Sequence, residues 1–169
     1  MVRLAAACLT LLLGGCAGLA PLVTAPMPVT VAGTVRDASG PIVGARVQLT
    51  AYESDRCVAL ARSATPPSHE DRQALRECVR PLGEAVTDED GRYAFANVRP
   101  GSFDVTIAWT LRAGQPVPSD PVFQQGAYAV VIVRNREGTW TVTARSEIVA
   151  LPDQWHVLQD FAFQPPGTS

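Results

Sequence analysis

The chain has 169 residues, 47% of them hydrophobic and 18% charged, a balance that suits one compact domain with an N-terminal extension. Its formal net charge of −2 excludes the broad basic field that nucleic acid binding requires. All 14 basic residues are arginine, so no lysine can serve as a Schiff base, as an amine nucleophile or as half of an isopeptide bond.

Met1-Val2-Arg3 is a short positive start. Residues 4–13 are an apolar run of signal-peptide length, too short to cross a bilayer as a helix. Leu13-Gly14-Gly15-Cys16 follows and resembles the bacterial lipobox, a leucine and two small residues before a cysteine. The resemblance implies that residues 1–15 are a lipoprotein signal peptide and that Cys16 carries a thioether-linked diacylglycerol and an acylated, palmitate-bearing α-amine. The plainer alternative is a secretory signal that ends by chance in a cysteine. Ala17 stands where aspartate would hold such a protein at the inner membrane, so the same resemblance implies the outer membrane, with the domain facing the periplasm. Residues 16–28 carry Pro21, Pro26 and Pro28 and no charge, and read as a tether of at most ~40 Å at ~3.3 Å per residue.

Residues 29–50 predict a strand, a turn at Asp37-Ala38-Ser39-Gly40-Pro41, a second tight point at Gly44 and a strand through Val47 and Leu49. The β pattern then stops between residues 52 and 82. Ser68 and Asp71 have capping-box spacing and open a predicted short helix, with Ala74, Leu75, Cys78 and Val79 as the stripe that packs on the domain and Pro81 as its end. With Cys8 in the signal and Cys16 in the lipobox, Cys57 and Cys78 are the pair left over. In an oxidising periplasm they are expected to form a disulfide; a metal or redox pair would need CxxC spacing or nearby ligands.

Thr87-Asp88-Glu89-Asp90-Gly91 is a hairpin turn, followed by Tyr93 and Phe95 on one face of a strand. Arg99-Pro100-Gly101-Ser102 turns again into Phe103, Val105 and Ile107. The paired patterns Gly33-x-Val35-x-Asp37-x-x-Gly40-Pro41-Ile42-x-Gly44 and Thr87-Asp88-x-x-Gly91-x-Tyr93-x-Phe95-x-x-Val98-x-Pro100-Gly101-x-Phe103 resemble the carboxypeptidase regulatory-like domain. That resemblance covers about residues 29–109. It implies an all-β, transthyretin-like (prealbumin-like) antiparallel sandwich of about seven or eight strands with a short helical insertion.

Beyond Trp109 no family motif is matched. Residues 112–121 read as a loop and residues 127–133 as an apolar strand. Asn135-Arg136-Glu137-Gly138 reads as a turn, and Trp140, Val142 and Ala144 alternate on the returning strand. Val157, Leu158, Phe161 and Phe163 close a sheet, the sandwich spans residues 29–164, and 165–169 is a disordered tail.

His69 and His156 are the only histidines, HExxH is absent, and no zinc site or other cofactor is expected. Asp88, Glu89 and Asp90 offer calcium-type oxygens but lack the further ligands of an EF-hand. There is no Gly-x-Ser-x-Gly nucleophile elbow. The motifs of two enzyme families on related sandwiches, intradiol dioxygenases and hydroxyisourate hydrolases, are absent as well. Trp140 and Trp155 are candidate exposed tryptophans for sugar rings, against the reading that Trp109, Trp140 and Trp155 all fill the core. The expectation is a non-enzymatic lipoprotein whose sandwich binds an envelope protein through a sheet edge, the braced insertion or the loop at 114–121. The alternative partner is a cell-envelope glycan.

Overall fold

The computed structural model describes residues 26–62, 68–112, 114, 115, 117 and 122–164. The signal peptide, the lipid site at Cys16, the tether as far as residue 25, most of the 113–121 loop and the tail 165–169 lie outside the described residues. In chain order come β1 (Val29–Asp37), β2 (Gly40–Pro41), β3 (Arg46–Tyr52), α1 (Asp55–Arg62), α2 (His69–Cys78) and β4 (Val79–Val86). They are followed by β5 (Arg92–Val98), β6 (Gly101–Thr110), β7 (Val122–Gln125), β8 (Tyr128–Arg134), β9 (Trp140–Ala150), β10 (His156–Leu158) and β11 (Phe161–Phe163).

These elements form the expected all-β sandwich, with two differences in its sheets. The larger sheet is antiparallel, in the order β4-β3-β6-β9-β8-β7. The smaller one is mixed rather than antiparallel: β1 is its spine, with β5 and β2 antiparallel to it and β10 and β11 parallel to it. The second difference is number, because short pairing segments bring the described strands to eleven. Between β10 and β11 the ladder is patched by a side chain. Asp160 accepts hydrogen bonds from the Thr34 N–H and hydroxyl at 2.7 and 2.8 Å, in place of a strand carbonyl.

Alternation in the sequence decides which side chains meet between the sheets. Val29, Val31 and Val35 of β1 face Val47 and Leu49 of β3 and Val105 and Ile107 of β6, all buried in one core. Burying each such side chain contributes ~1.5–3 kcal/mol. Tyr128 and Phe161 pack with their rings 5.0 Å apart, so the C-terminal strand is held by the second half of the larger sheet. Gly33 is required by a close approach: a Cβ there would lie 1.9 Å from the Gln159 carbonyl oxygen and 2.8 Å from the Tyr93 hydroxyl. Gly91, at φ +73°, closes the β4–β5 turn, where the Asp88 carboxylate accepts from the N–H groups of Asp90 and Arg92. Both Asp88 and Asp90, the latter paired with Arg92 at 3.1 Å, are thus engaged within the turn that the calcium reading invoked.

The insertion departs further from expectation. It holds two helices, not one, and β4 begins at Val79, so Pro81 lies inside a strand instead of ending a helix. The capping box is present: Ser68 Oγ accepts from the Asp71 N–H at 3.0 Å and the Asp71 carboxylate accepts from the Ser68 N–H at 3.1 Å. The stripe of Ala74, Leu75 and Cys78 does not dock on the sandwich, since no residue of α2 is buried. What holds α2 is the Cys57–Cys78 disulfide, with Cα atoms 5.5 Å apart, which ties it to α1, where Cys57 and Val58 are buried. No helix among the described residues is long and apolar enough to cross a membrane.

Candidate functional site

Two seams run along the sandwich where the sheet edges meet, and they differ. At one, the second half of the larger sheet is fastened to β11. The Tyr128 hydroxyl donates to the Ala162 carbonyl at 2.5 Å and accepts from the Ala162 N–H at 3.1 Å. The Gln125 side chain donates to the same carbonyl at 2.9 Å and accepts from the Gln164 N–H at 3.2 Å. Phe163 packs edge-on against Trp109, with centroids 5.3 Å apart. This seam is closed.

The opposite seam is open. Among the described residues, β4 pairs only with β3 and β5 only with β1, so two strand edges lie side by side without a ladder between them. The Val35 N–H donates to the Gly91 carbonyl at 2.8 Å, which fixes the alternation. Gly91, Tyr93 and Phe95 turn their backbone groups to β1; those of Arg92 are taken up by Asp88 within the turn, and those of Ala94 point into the seam. A groove of about 900 Å³ opens here, at the end of the sandwich where β1 begins. Its floor is apolar: Leu49, Phe95 and Phe103. Its polar rim is built by Glu53, Arg80, Asn97, Arg99 and Ser102. A further groove of about 640 Å³ continues along the same seam, and Ala94 borders both.

Local sequence explains the opening. Pro81 has no N–H for the β3–β4 ladder, and the register shifts beside it, between Leu49 and Thr50. On the other side the chain reverses at residues 97–101, with Asn97 held at φ +60°, a conformation that asparagine tolerates better than other side chains. That turn raises Arg99 beside the groove. Among the described residues, neither Arg80 nor Arg99 is held by an ion pair or a hydrogen bond from its side chain. Both cations are available to a ligand.

Tyr52 turns its side chain to the other face of the larger sheet, shared with Asp104. Its hydroxyl donates to the Asp104 carboxylate and accepts from Arg145, and Arg145 forms an ion pair with Asp104. Burial pushes the Tyr52 phenol well above its usual range, the Asp104 hydrogen bond and charge push it further, and Arg145 opposes them only in part. Tyr52 therefore stays a neutral hydrogen-bonding group and is no general base. The Arg145 guanidinium is also raised: burial lowers it, but the hydrogen bond and charge of Asp104 outweigh that. Asp104 is buried, and its Oδ1 is without a protein partner.

The tryptophans separate. Trp109 is buried in the core. Trp140 is half-buried against the same core, and the Arg134 guanidinium lies 5.7 Å from its ring centroid. Trp155 is exposed. Trp140 opens β9, the far end of β9 lies at Ala150 against Gly101, and Trp155 follows the turn beyond Ala150. The two are thus at opposite ends of the sandwich and do not form one aromatic platform. His69 heads α2 and His156 is exposed on β10. Arg80, Asn97, Arg99 and Tyr52 were not singled out from sequence. For Arg80 the signal was the β4 alternation, which Pro81 and Gly83 mask.

No family model matches the chain, and no curated relative does. Among solved structures, the chain is similar to a candidate carbohydrate-binding protein of Pseudomonas aeruginosa, at 19% identity over 80% of this chain and 90% of that one, with a TM-score of 0.39. It is also similar to the dioxygenase domain of a dioxygenase–carbohydrate-binding fusion protein of Streptomyces sp. SirexAA-E, at 14% identity over 85% and 84%, with a TM-score of 0.35. A 9R-lipoxygenase of Cyanothece matches at 11% identity and a TM-score of 0.34, over 83% of this chain but 16% of the lipoxygenase.

Proposed function

We propose that the protein is a non-catalytic binding module of the bacterial cell envelope, lipid-tethered through Cys16 at the outer membrane and carrying a sandwich of the carboxypeptidase regulatory-like type. In this reading the open β4–β5 seam takes an extended segment of an envelope protein. The lipobox-like Leu13-Gly14-Gly15-Cys16 supports the tether. The contrast between the seams carries the binding reading: one is fastened by Tyr128 and Gln125, the other leaves backbone groups of β5, an apolar floor and two unpaired arginines around one groove. An extended peptide satisfies all three at once. Its backbone pairs with the edge, alternate side chains reach Leu49 and Phe103, and an acidic side chain or terminal carboxylate meets Arg80 or Arg99.

The test is photo-crosslinking in intact cells, with a probe at Ala96 in the groove and a control probe at Val133 on the far side. A protein adduct formed from Ala96 and not from Val133 is expected. Equal yields from both positions refute the groove as the site. Adducts to glycan in place of protein move the ligand to the sugar reading.

A further inference from the structure

The end of the sandwich that carries the tether also exposes a group of large apolar side chains. Trp155 is opposite Val29 across the β1–β10 ladder, where the Thr30 N–H donates to the Trp155 carbonyl at 2.9 Å. Met27 lies just ahead of that point, at 49% exposure, and Trp155 itself is 66% exposed. Leu151, 49% exposed, sits on the same tip because Leu151 and Gln154 form a tight turn, the Gln154 N–H donating to the Leu151 carbonyl at 3.1 Å and the Leu151 N–H to the Gln154 side chain at 3.0 Å. The β5–β6 turn reaches the same end, since Val98 pairs with Val29 and Gly101 with Ala150, and it adds the unpaired Arg99. At the other end of the molecule Trp140 is half-buried and lies against Arg134. The opposite end exposes only valines among its described large apolar residues, Val43 and Val133 included, so the exposed tryptophan belongs to the tether end.

We infer that this tip is a second membrane contact: Trp155, Leu151 and Met27 enter the headgroup region of the bilayer that holds the lipid anchor. The inference rests on the tether reading above. Pro26 is ten positions after Cys16, so the first described residue lies within ~33 Å of the lipidated cysteine at ~3.3 Å per residue. The chain leaves the domain at the apolar tip, which is thereby the face turned to the bilayer. Tryptophan suits that depth because its ring is apolar and its N–H can remain in the polar layer. Attachment by acyl chains and by a protein surface are separate signals that reinforce each other. The consequence is orientation: the tip fixes which way the open seam faces, beside the membrane and not at the end of a free tether.

The full-length protein purified from membranes, in vesicles of phosphatidylethanolamine and phosphatidylglycerol, tests this. Flotation and intact mass report the anchor, and quenching of tryptophan emission by brominated lipids reports the contact. The expected result is flotation with strong quenching, lost in Trp155→Phe and reduced about tenfold or more in its membrane-contact equilibrium by Leu151→Asn. An acylated chain that floats without quenching overturns the second contact and leaves the anchor standing. A chain with no acyl group on Cys16 overturns the anchor and this inference with it. Quenching that survives Trp155→Phe assigns the contact to another surface and equally overturns it.

Discussion

Replacing Gly33 with alanine tests the packing of the smaller sheet, because two physical effects predict opposite signs. Gly33 has ordinary β geometry, so restricting the unfolded chain would by itself stabilise the variant by ~0.4–1 kcal/mol. Against that, the new Cβ would stand 1.9 Å from the Gln159 carbonyl oxygen and 2.8 Å from the Tyr93 hydroxyl. The Gln159 segment must move by more than an ångström. That breaks the bond from the Tyr93 hydroxyl to the Gln159 carbonyl, 2.6 Å, and strains the one from the Gln159 N–H to the Ala32 carbonyl, 2.9 Å. Two hydrogen bonds at ~1 kcal/mol each outweigh the entropic gain. Displacement of Phe161, which is 1% exposed, adds part of the ~3–5 kcal/mol that full loss of a buried aromatic costs. The net expectation is destabilisation by ~2–4 kcal/mol, read from urea denaturation followed by far-UV circular dichroism. A variant as stable as the parent, or more so, would refute the close approach.

Other perturbations have equally definite outcomes. Cys57→Ser with Cys78→Ser opens a loop of sequence separation 21, so urea stability should fall by ~3 kcal/mol; hydrogen exchange should show α2 lost while β6 and β9 stay protected. Arg145→Ala removes the ion-pair partner of the buried Asp104, which keeps its Tyr52 hydrogen bond, and should destabilise by ~1–3 kcal/mol, whereas Arg145→Lys should recover part of this. Asp37 has its carboxyl held below 3.8: burial raises it, but hydrogen bonds from Ser39 and Gln115 and the charge of Arg112 outweigh that. A depressed folded value means that its contribution is full above about pH 3.8 and vanishes as the pH falls through the folded value. The stability gap between the parent and Asp37→Ala should accordingly be present at pH 6 and close on acidification. A gap that widens toward low pH reverses the sign and refutes the assignment.

Local pattern carried much of the fold into view. Tyr93 with Phe95, and Phe103 with Val105 and Ile107, alternate as strands do, and all five are buried. The turns at Gly40, Gly91 and Gly138 fall where positive φ is needed. Ser68 and Asp71 announced their capping box, and Cys57 found Cys78. What stayed hidden depends on partners distant in sequence. The parallel pairing of β10 and β11 with β1 joins residues 126 apart, and nothing local in Val157 or Phe161 marks that direction. Helix α1 is short: Ser54 caps it, its Oγ accepting from the Cys57 N–H at 3.4 Å, and Cys57 and Val58 are buried beneath it. The groove itself is a gap between β4 and β5. It arises from which edges remain unpaired, a property of the assembled sheets and not of any one segment.

Charge reversal tests whether the open seam binds through its strand edge and its two arginines. With a photo-crosslinking probe at Asn97, the yield of the protein adduct in intact cells is compared between the parent and Arg80→Glu with Arg99→Glu. Both arginines are exposed, so the fold should tolerate the change. Loss of two charge-assisted contacts predicts a fall of tenfold or more in the adduct. An undiminished adduct would contradict the account and place the binding surface away from this groove.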